Sequence, residues 1–417
     1  MHRWDSIGDR VHLVFACLGL VCLFGPVTLT EVAFGPLVVF FVIRVFNTLP
    51  VWIHGFGQPA VLMAIAIAGW MMITLSWSAD RALGWEEISQ LRWFVLVGLI
   101  FPVIEKRMVL IGAMCLGIAL AQLGQIADAF DGFGIGWLGE LVANQPNRIS
   151  GWWQPVVGGS ILVAAVGMHL PTAICGAGRT RLVGLAGAMI AGVGLIATNS
   201  RGAWIAGVLM IAAVSVFALR TKRVGFKRTG LVIGVGVMVI ASAGLLMRDR
   251  IGDRIDETRA ELREIGEGKL DSMTGVRVMM GQRAIDAGLA HPVGGVGAGG
   301  FESWANIEGE ENRAHAHAHN SVLQIWSTLG TVGIVLWAGL LVIMLHGAWR
   351  IWDAQKEGMY GLAPMFAIIG LGLGSITDSV QLSTQTAAML GALAALSPAY
   401  RPGLLGHARW QTDERRS

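Results

Sequence analysis

Apolar runs of helix length follow one another along almost the whole chain, and they restrict what it can fold into. They fall at 11–29, 32–46, 59–78, 91–104, 108–126, 156–170, 182–198, 203–219, 230–247, 321–345, 361–376 and 382–396. A helix that crosses a bilayer needs roughly 20 mostly apolar residues, with about 17 as a common lower limit. Hydrophobic residues make up 54% of the chain and charged residues 14%, whereas a soluble chain carries about 25% charged residues. The expected fold class is an all-α integral membrane protein with about 12 transmembrane helices. Its cysteines (Cys17, Cys22, Cys115, Cys175) lie in or beside apolar runs without a CxxC pair, so no disulfide framework or thiolate metal site is expected. The basic start at 1–10 and the run that follows resemble a signal peptide. The run is long and lacks a small-x-small cleavage site, so it is expected to stay as the first span.

Lysine and arginine in the short loops set the orientation. With the N-terminus inside, the inner segments hold most of them, including Arg220, Lys222, Arg223, Lys227 and Arg228 in one loop. The short outer loops hold Arg81, Arg148 and Arg201. Both termini are therefore expected in the cytoplasm. The organisation predicted is spans 1–9 over 1–247, an outer loop over 248–320, spans 10–12 over 321–396 and a cytoplasmic tail over 397–417. The long loop is too polar to be a mere connector. A surface helix is expected over 249–265, with Ile251, Ile255, Leu262 and Ile265 along one side, and a second helix from 275 to about 290, ended by Pro292.

Two outer arginines break the inward charge bias. Arg148 sits in NQPNRISGWWQP, and Arg201 sits in TNSRGAWIAG, in a very short connection. A guanidinium held at the edge of a bilayer is costly unless solvated or paired, which makes it a functional candidate; snorkelling to lipid phosphates is the bland account. Its planar fork of donors suits phosphate oxygens. Gly295, Gly297 and Gly300 have GxGxxG spacing in HPVGGVGAGGFESW, but no βαβ unit surrounds them. They are expected to let the backbone bend between the loop helix and span ten.

RAHAHAHNSVLQIWSTLG places His315, His317 and His319 at alternate positions before an apolar run. A metal site, a proton acceptor, an anion site and simple boundary polarity all remain open. Glu302, Glu308, Glu310, Glu311 and Asp378 could join a metal site. The three histidines are expected to point to opposite sides, however, which opposes one ion using all of them. Asn320 or Ser321 is expected to cap the helix. A helix N-terminus disfavours positive charge, which helps keep an adjoining imidazole neutral and able to accept a proton.

SRGAWIAG, RVMMGQRAIDAGLAHPVGGVGAGGF and HAHNSVLQIWSTLGTVG, in this order and with the large outer loop before span ten, resemble the O-antigen ligase and polymerase superfamily over about 148–345. The resemblance implies a GT-C-type membrane glycosyltransferase of the bacterial inner membrane with a periplasmic active site. Such enzymes transfer a glycan from undecaprenyl diphosphate to an acceptor, which in ligases is the lipid A-core oligosaccharide. Matched motif by motif, it assigns His319 to the histidine before asparagine, and Arg148, Arg201 and Arg277 to the family's arginines. The family often has asparagine after the proline of the first motif, where this chain has Val156.

Chemistry and resemblance agree on roles. Arg148 and Arg201 would stabilise charge developing on the leaving diphosphate, and His319 would be the general base for attack on the anomeric carbon. A single displacement would invert the anomeric configuration. Arg277, His317 and Asn320 are expected to contact substrate, with His315 dispensable. No metal or cofactor is expected, and the partners are membrane lipids and glycolipid substrates, not nucleic acid. A polymerase using the same donor is the near alternative. A lipid-linked glycan transporter is the distant one, disfavoured because the distinctive polar residues cluster outside the bilayer midplane.

Overall fold

The computed structural model describes residues 6–129, 148–220, 226–246, 248–306, 317–354 and 362–397. Those residues are helical throughout, with short loops. The first part runs α1 (Ser6–Cys22), α2 (Val27–Val32), α3 (Gly35–Ile43), α4 (Val45–Phe56), α5 (Pro59–Thr74), α6 (Arg81–Ser89), α7 (Val95–Ile100) and α8 (Arg107–Ala129). The second runs α9 (Pro155–Cys175), α10 (Gly178–Ala197), α11 (Arg201–Arg220), α12 (Phe226–Leu246), α13 (Arg248–Gly266), α14 (Met273–Ala290) and α15 (Phe301–Ala305). The last are α16 (Ser321–Ala354), α17 (Leu362–Gly374) and α18 (Thr384–Leu396).

The packing suits a lipid solvent. α9 is buried nearly all round and is flanked by α10, α11 and α17. Large apolar side chains such as Val39, Phe46, Leu62 and Val208 remain exposed on the outside, where hydrocarbon rather than water would solvate them. Among the described residues α9, α10, α11 and α16 are each long and apolar enough to cross a membrane. The protein is a multi-pass membrane protein.

Several expected spans differ in detail. The run at 11–29 breaks after Cys22, where Gly25 and Pro26 interrupt the helix. The run at 91–104 is α7 flanked by 3-10 turns at Gln90–Phe94 and Phe101–Lys106, and Pro102 lies in the second turn. α4 is an additional helix that the pattern did not single out.

The glycine-rich bend has a more specific task than turning the chain. α16 is broken at Gly330 (φ 65°, ψ −164°), where an added Cβ would stand 2.2 Å from the Val293 carbonyl oxygen. Breaking a helix in a membrane frees backbone groups that need partners. The bend supplies them. The Thr331 N–H donates to the Pro292 carbonyl (2.9 Å), while the Ser327 and Thr328 carbonyls accept from the N–H groups of Val296 (2.8 Å) and Gly297 (2.9 Å). Trp70 Nε1 donates to the Leu329 carbonyl at 3.0 Å. The bend thereby ties the end of α14 to the helix that follows His317 and His319.

Candidate functional site

Arg148 is positioned by a strap after α8. The Ile149 N–H donates to the Ala197 carbonyl (3.0 Å), and the Asp128 carboxylate accepts from the N–H groups of Ser150 (2.8 Å) and Gly151 (3.0 Å). The indoles of Trp152 and Trp153 both donate to the Phe24 carbonyl. Arg201 is the first residue of α11, after a tight turn in which Asn199 takes φ 50°, a left-handed conformation in which asparagine is enriched. The positive end of the α11 dipole lies beside it.

α13 and α14 fold back over these two arginines. Arg148, Arg201, Arg254 and Arg277 line one small cleft, with Val156, Ser200, Gly202, Met273 and Thr274. Arg201 Nη1 donates to Glu261 Oε2 and Thr258 Oγ1, each at 2.7 Å, and Thr274 donates to the same Glu261 oxygen. Burial pushes the Glu261 carboxyl up, but the hydrogen bonds from Arg201 and Thr274 and the charges of Arg201 and Arg254 outweigh it, leaving a net fall below the ordinary value. Burial, with the charges of Arg254, Arg277 and Arg201, pulls Arg148 below its ordinary value, against the opposing effect of Glu257. Guanidinium groups crowded to this degree favour an anion.

α13 contributes with the side its apolar spacing marked, which polar residues share. Arg254, Thr258 and Glu261, at helical spacing, turn toward the cleft beside half-buried Ile251 and Ile265, while Ile255 and Leu262 are exposed at the edge of that side. Arg201 thereby gains an ionic partner.

The histidines lie across a short gap. Asn320 caps α16: its Oδ1 accepts from the N–H groups of Val322 (2.9 Å) and Leu323 (3.0 Å), and its Nδ2 donates to the Ile376 carbonyl (2.9 Å). His319 takes φ 52°. His317 and His319 face one another, ring centroids 4.3 Å apart. This overturns the expectation that the alternate histidines point apart: even in an extended backbone only adjacent residues do so, and residues two apart share one side. His319 Nδ1 lies 3.5 Å and His317 Nδ1 3.9 Å from Asp378 Oδ1. Burial pushes the Asp378 carboxyl up, but the hydrogen bond to His319, the neighbouring His317 and the Ser379 N–H together hold it below the ordinary value. His317, His319 and Asp378 each offer one atom within 4.8 Å of the others, so they are the residues among those described that could hold a metal ion. His315 lies outside the described residues.

Arg277 joins the two halves. It lines the arginine cleft, and its Nη1 reaches the Thr377 carbonyl at 3.5 Å. Burial lowers its pKa, partly offset by Asp378, while Arg201 and Arg254 lower it further. A Cβ on Gly202 would stand 2.3 Å from Thr377 Oγ1, so glycine lets α11 approach the Asp378 loop.

Residues 186–338 match the model of the family described as O-Antigen ligase. Over that stretch the chain is similar to the O-antigen ligase family. The match includes Arg201, Arg277, His317, His319 and Asn320, and leaves Arg148 and Asp378 outside. No curated protein matches the chain. Sequence reasoning had named Asp378 only as available to a metal and had passed over Arg254, Glu261 and Thr377. The matched stretch thus acquires partners from both its flanks, which only folding reveals.

Proposed function

We propose that this protein transfers a glycan from undecaprenyl diphosphate to the lipid A-core oligosaccharide, on the periplasmic side of the bacterial inner membrane. The supporting observation is Arg277, which lines the arginine cleft and also reaches the loop of Asp378. In this reading a diphosphate ligand stands beside a histidine–carboxylate pair. The proposed topology is twelve spans in a GT-C-type arrangement with both termini cytoplasmic, and 248–320 as a periplasmic loop.

In the proposed reaction Arg148, Arg201, Arg254 and Arg277 hold the diphosphate and stabilise its growing charge as the anomeric C–O bond breaks. His319 presents Nδ1 to Asp378, leaving Nε2 to accept the proton of the attacking acceptor hydroxyl. The 3.5 Å separation is long, as catalytic contacts often are without substrate. Attack from the face opposite the diphosphate forms the new glycosidic bond with inversion. His317 and Asn320 contact substrate from the same segment. The test is reconstitution of purified protein in nanodiscs with lipid-linked glycan and lipid A-core. Formation of glycosylated lipid A-core and undecaprenyl diphosphate is expected. Linkage of donor glycans to one another instead would make the protein a polymerase, and no bond formation would leave transport.

A further inference from the structure

A second cleft opens at the other end of α14, away from the arginines. Its volume is about 740 Å³, within the range of small-molecule sites, and Trp70, Trp77, His291, Ser303 and Trp304 line it with the glycine-rich bend. Trp70 and Trp77 meet edge to face at 6.3 Å, and His291 and Trp304 do so at 5.4 Å. The Trp70 indole is committed to the Leu329 carbonyl and that of Trp77 to the Gly295 carbonyl (3.2 Å). Trp77 and Trp304 remain 46% and 39% exposed, too much for core side chains.

We propose that this cleft binds neutral pyranose rings of the glycolipid acceptor, with Trp304 stacking on a sugar face. A pyranose has an apolar C–H face and a polar edge. Indole walls complement the first, while the Ser303 hydroxyl, His291 and the backbone of the bend complement the second. Among the described residues the lining contains no lysine or arginine, which a phosphate headgroup or the donor diphosphate would require. Exposed Leu289 and Val293 stand beside it, which suits a ligand whose other end is in lipid.

The layout of α14 favours acceptor over donor. Arg277, near its start, faces the arginine cleft; Met280 and Ala284, further along, share a buried cluster with Ala318 between the two histidines; Ala290, at its end, lines the tryptophan cleft. At 1.5 Å per residue, Arg277 and Ala290 are separated by about 20 Å. The base therefore lies between the diphosphate and the sugar cleft. α15 reinforces this link: Phe301 and Ala305 pack in the Ala318 cluster, while Ser303 and Trp304 line the cleft.

The inference rests on the ligase reading, and the experiment separates the two. Full-length protein in nanodiscs is examined by saturation-transfer NMR with deacylated lipid A-core oligosaccharide as the probe, alongside donor binding and transfer kinetics. Wild type and Trp304→Phe should bind the oligosaccharide. Trp304→Ala should lose that signal and raise the KM for lipid A-core about tenfold, the scale of one lost aromatic contact, with kcat and donor binding kept. His291→Ala, at the other edge, should change KM in the same direction. Undiminished oligosaccharide binding by Trp304→Ala overturns the sugar site. An equal loss of binding to lipid A without core sugars overturns it in favour of a lipid anchor. Oligosaccharide binding that requires Trp304, in a protein that performs no transfer, keeps the cleft and overturns the ligase reading.

Discussion

His319 Nδ1 lies 3.5 Å from Asp378 Oδ1, two residues brought together from opposite sides of the α16–α17 hairpin. The Asn320 cap fixes one side, and its Nδ2 hydrogen bond to the Ile376 carbonyl fixes the other. The carboxylate orients the imidazole and stabilises it once protonated, so His319 and Asp378 should act as a unit. His319→Ala should bind the lipid-linked donor normally and lower the single-turnover transfer rate by about 10²- to 10⁴-fold. Asp378→Asn should lower the same rate with donor binding retained. Loss of donor affinity in proportion to rate would make His319 a diphosphate ligand instead.

The arginine cleft makes a separate prediction. Arg201 donates to Glu261 and Thr258 from Nη1 alone, so the other nitrogens of its planar fork can meet phosphate oxygens, a geometry that lysine's single ammonium cannot copy. Arg201→Lys should insert normally yet lose most donor binding, and Arg148→Ala should weaken it in the same assay. Wild-type donor affinity in both variants would leave contact with lipid phosphates as the role of these side chains.

The gathering of His317, His319 and Asp378 within 4.8 Å makes a chelator experiment informative. If the histidines handle protons, transfer should survive exhaustive treatment with EDTA. Activity lost on chelation and restored by a divalent ion would reassign all three as ligands.

Orientation is open to a labelling test. A cysteine introduced near Asn306 should react with an impermeant thiol reagent in intact spheroplasts, and one near Lys222 should not. The reverse pattern would put the arginine cleft on the cytoplasmic side and remove the proposed chemistry.

What could be read before folding was local. The helical runs, the Asn320 cap and the Arg201 turn each follow from a few adjacent residues. Asp378, by contrast, stands in ITDSVQ, with nothing nearby to mark it; only the contact of its loop with α14 and the histidine segment does so. Arg254 was hidden among many charges of a helix whose isoleucine spacing marked the side but not which of its polar residues would face the cleft. Gly330 carried no signal either, because its value lies in the Val293 carbonyl it allows to approach. Long-range pairings of this kind depend on which loops fold over the membrane surface, and periodicity does not encode that.

Glu87 illustrates the same point and leads to the last prediction. It is buried at the end of α6, where Oε2 accepts the Gly299 N–H at 2.9 Å and Oε1 faces Gln324 Nε2 at 3.4 Å. Gln324 Oε1 in turn accepts the Ala318 N–H at 2.8 Å, so the carboxyl braces the backbone between His317 and His319. Burial pushes the Glu87 carboxyl up to about 7 from its ordinary 4.5, outweighing the hydrogen bonds from Gly299 and Gln324 that lower it. A carboxyl with a higher pKa in the folded state binds more protons folded than unfolded between those two values. Its contribution to stability is therefore full at low pH and is lost as pH rises through the folded value. The melting temperature of the wild type in detergent should fall between about pH 5 and about pH 8. Glu87→Gln, which keeps a carbonyl for Gly299 but cannot ionise, should show a shallower fall over the same range. Identical slopes would mean that another group carries the pH dependence and that folding leaves the Glu87 carboxyl at its ordinary value.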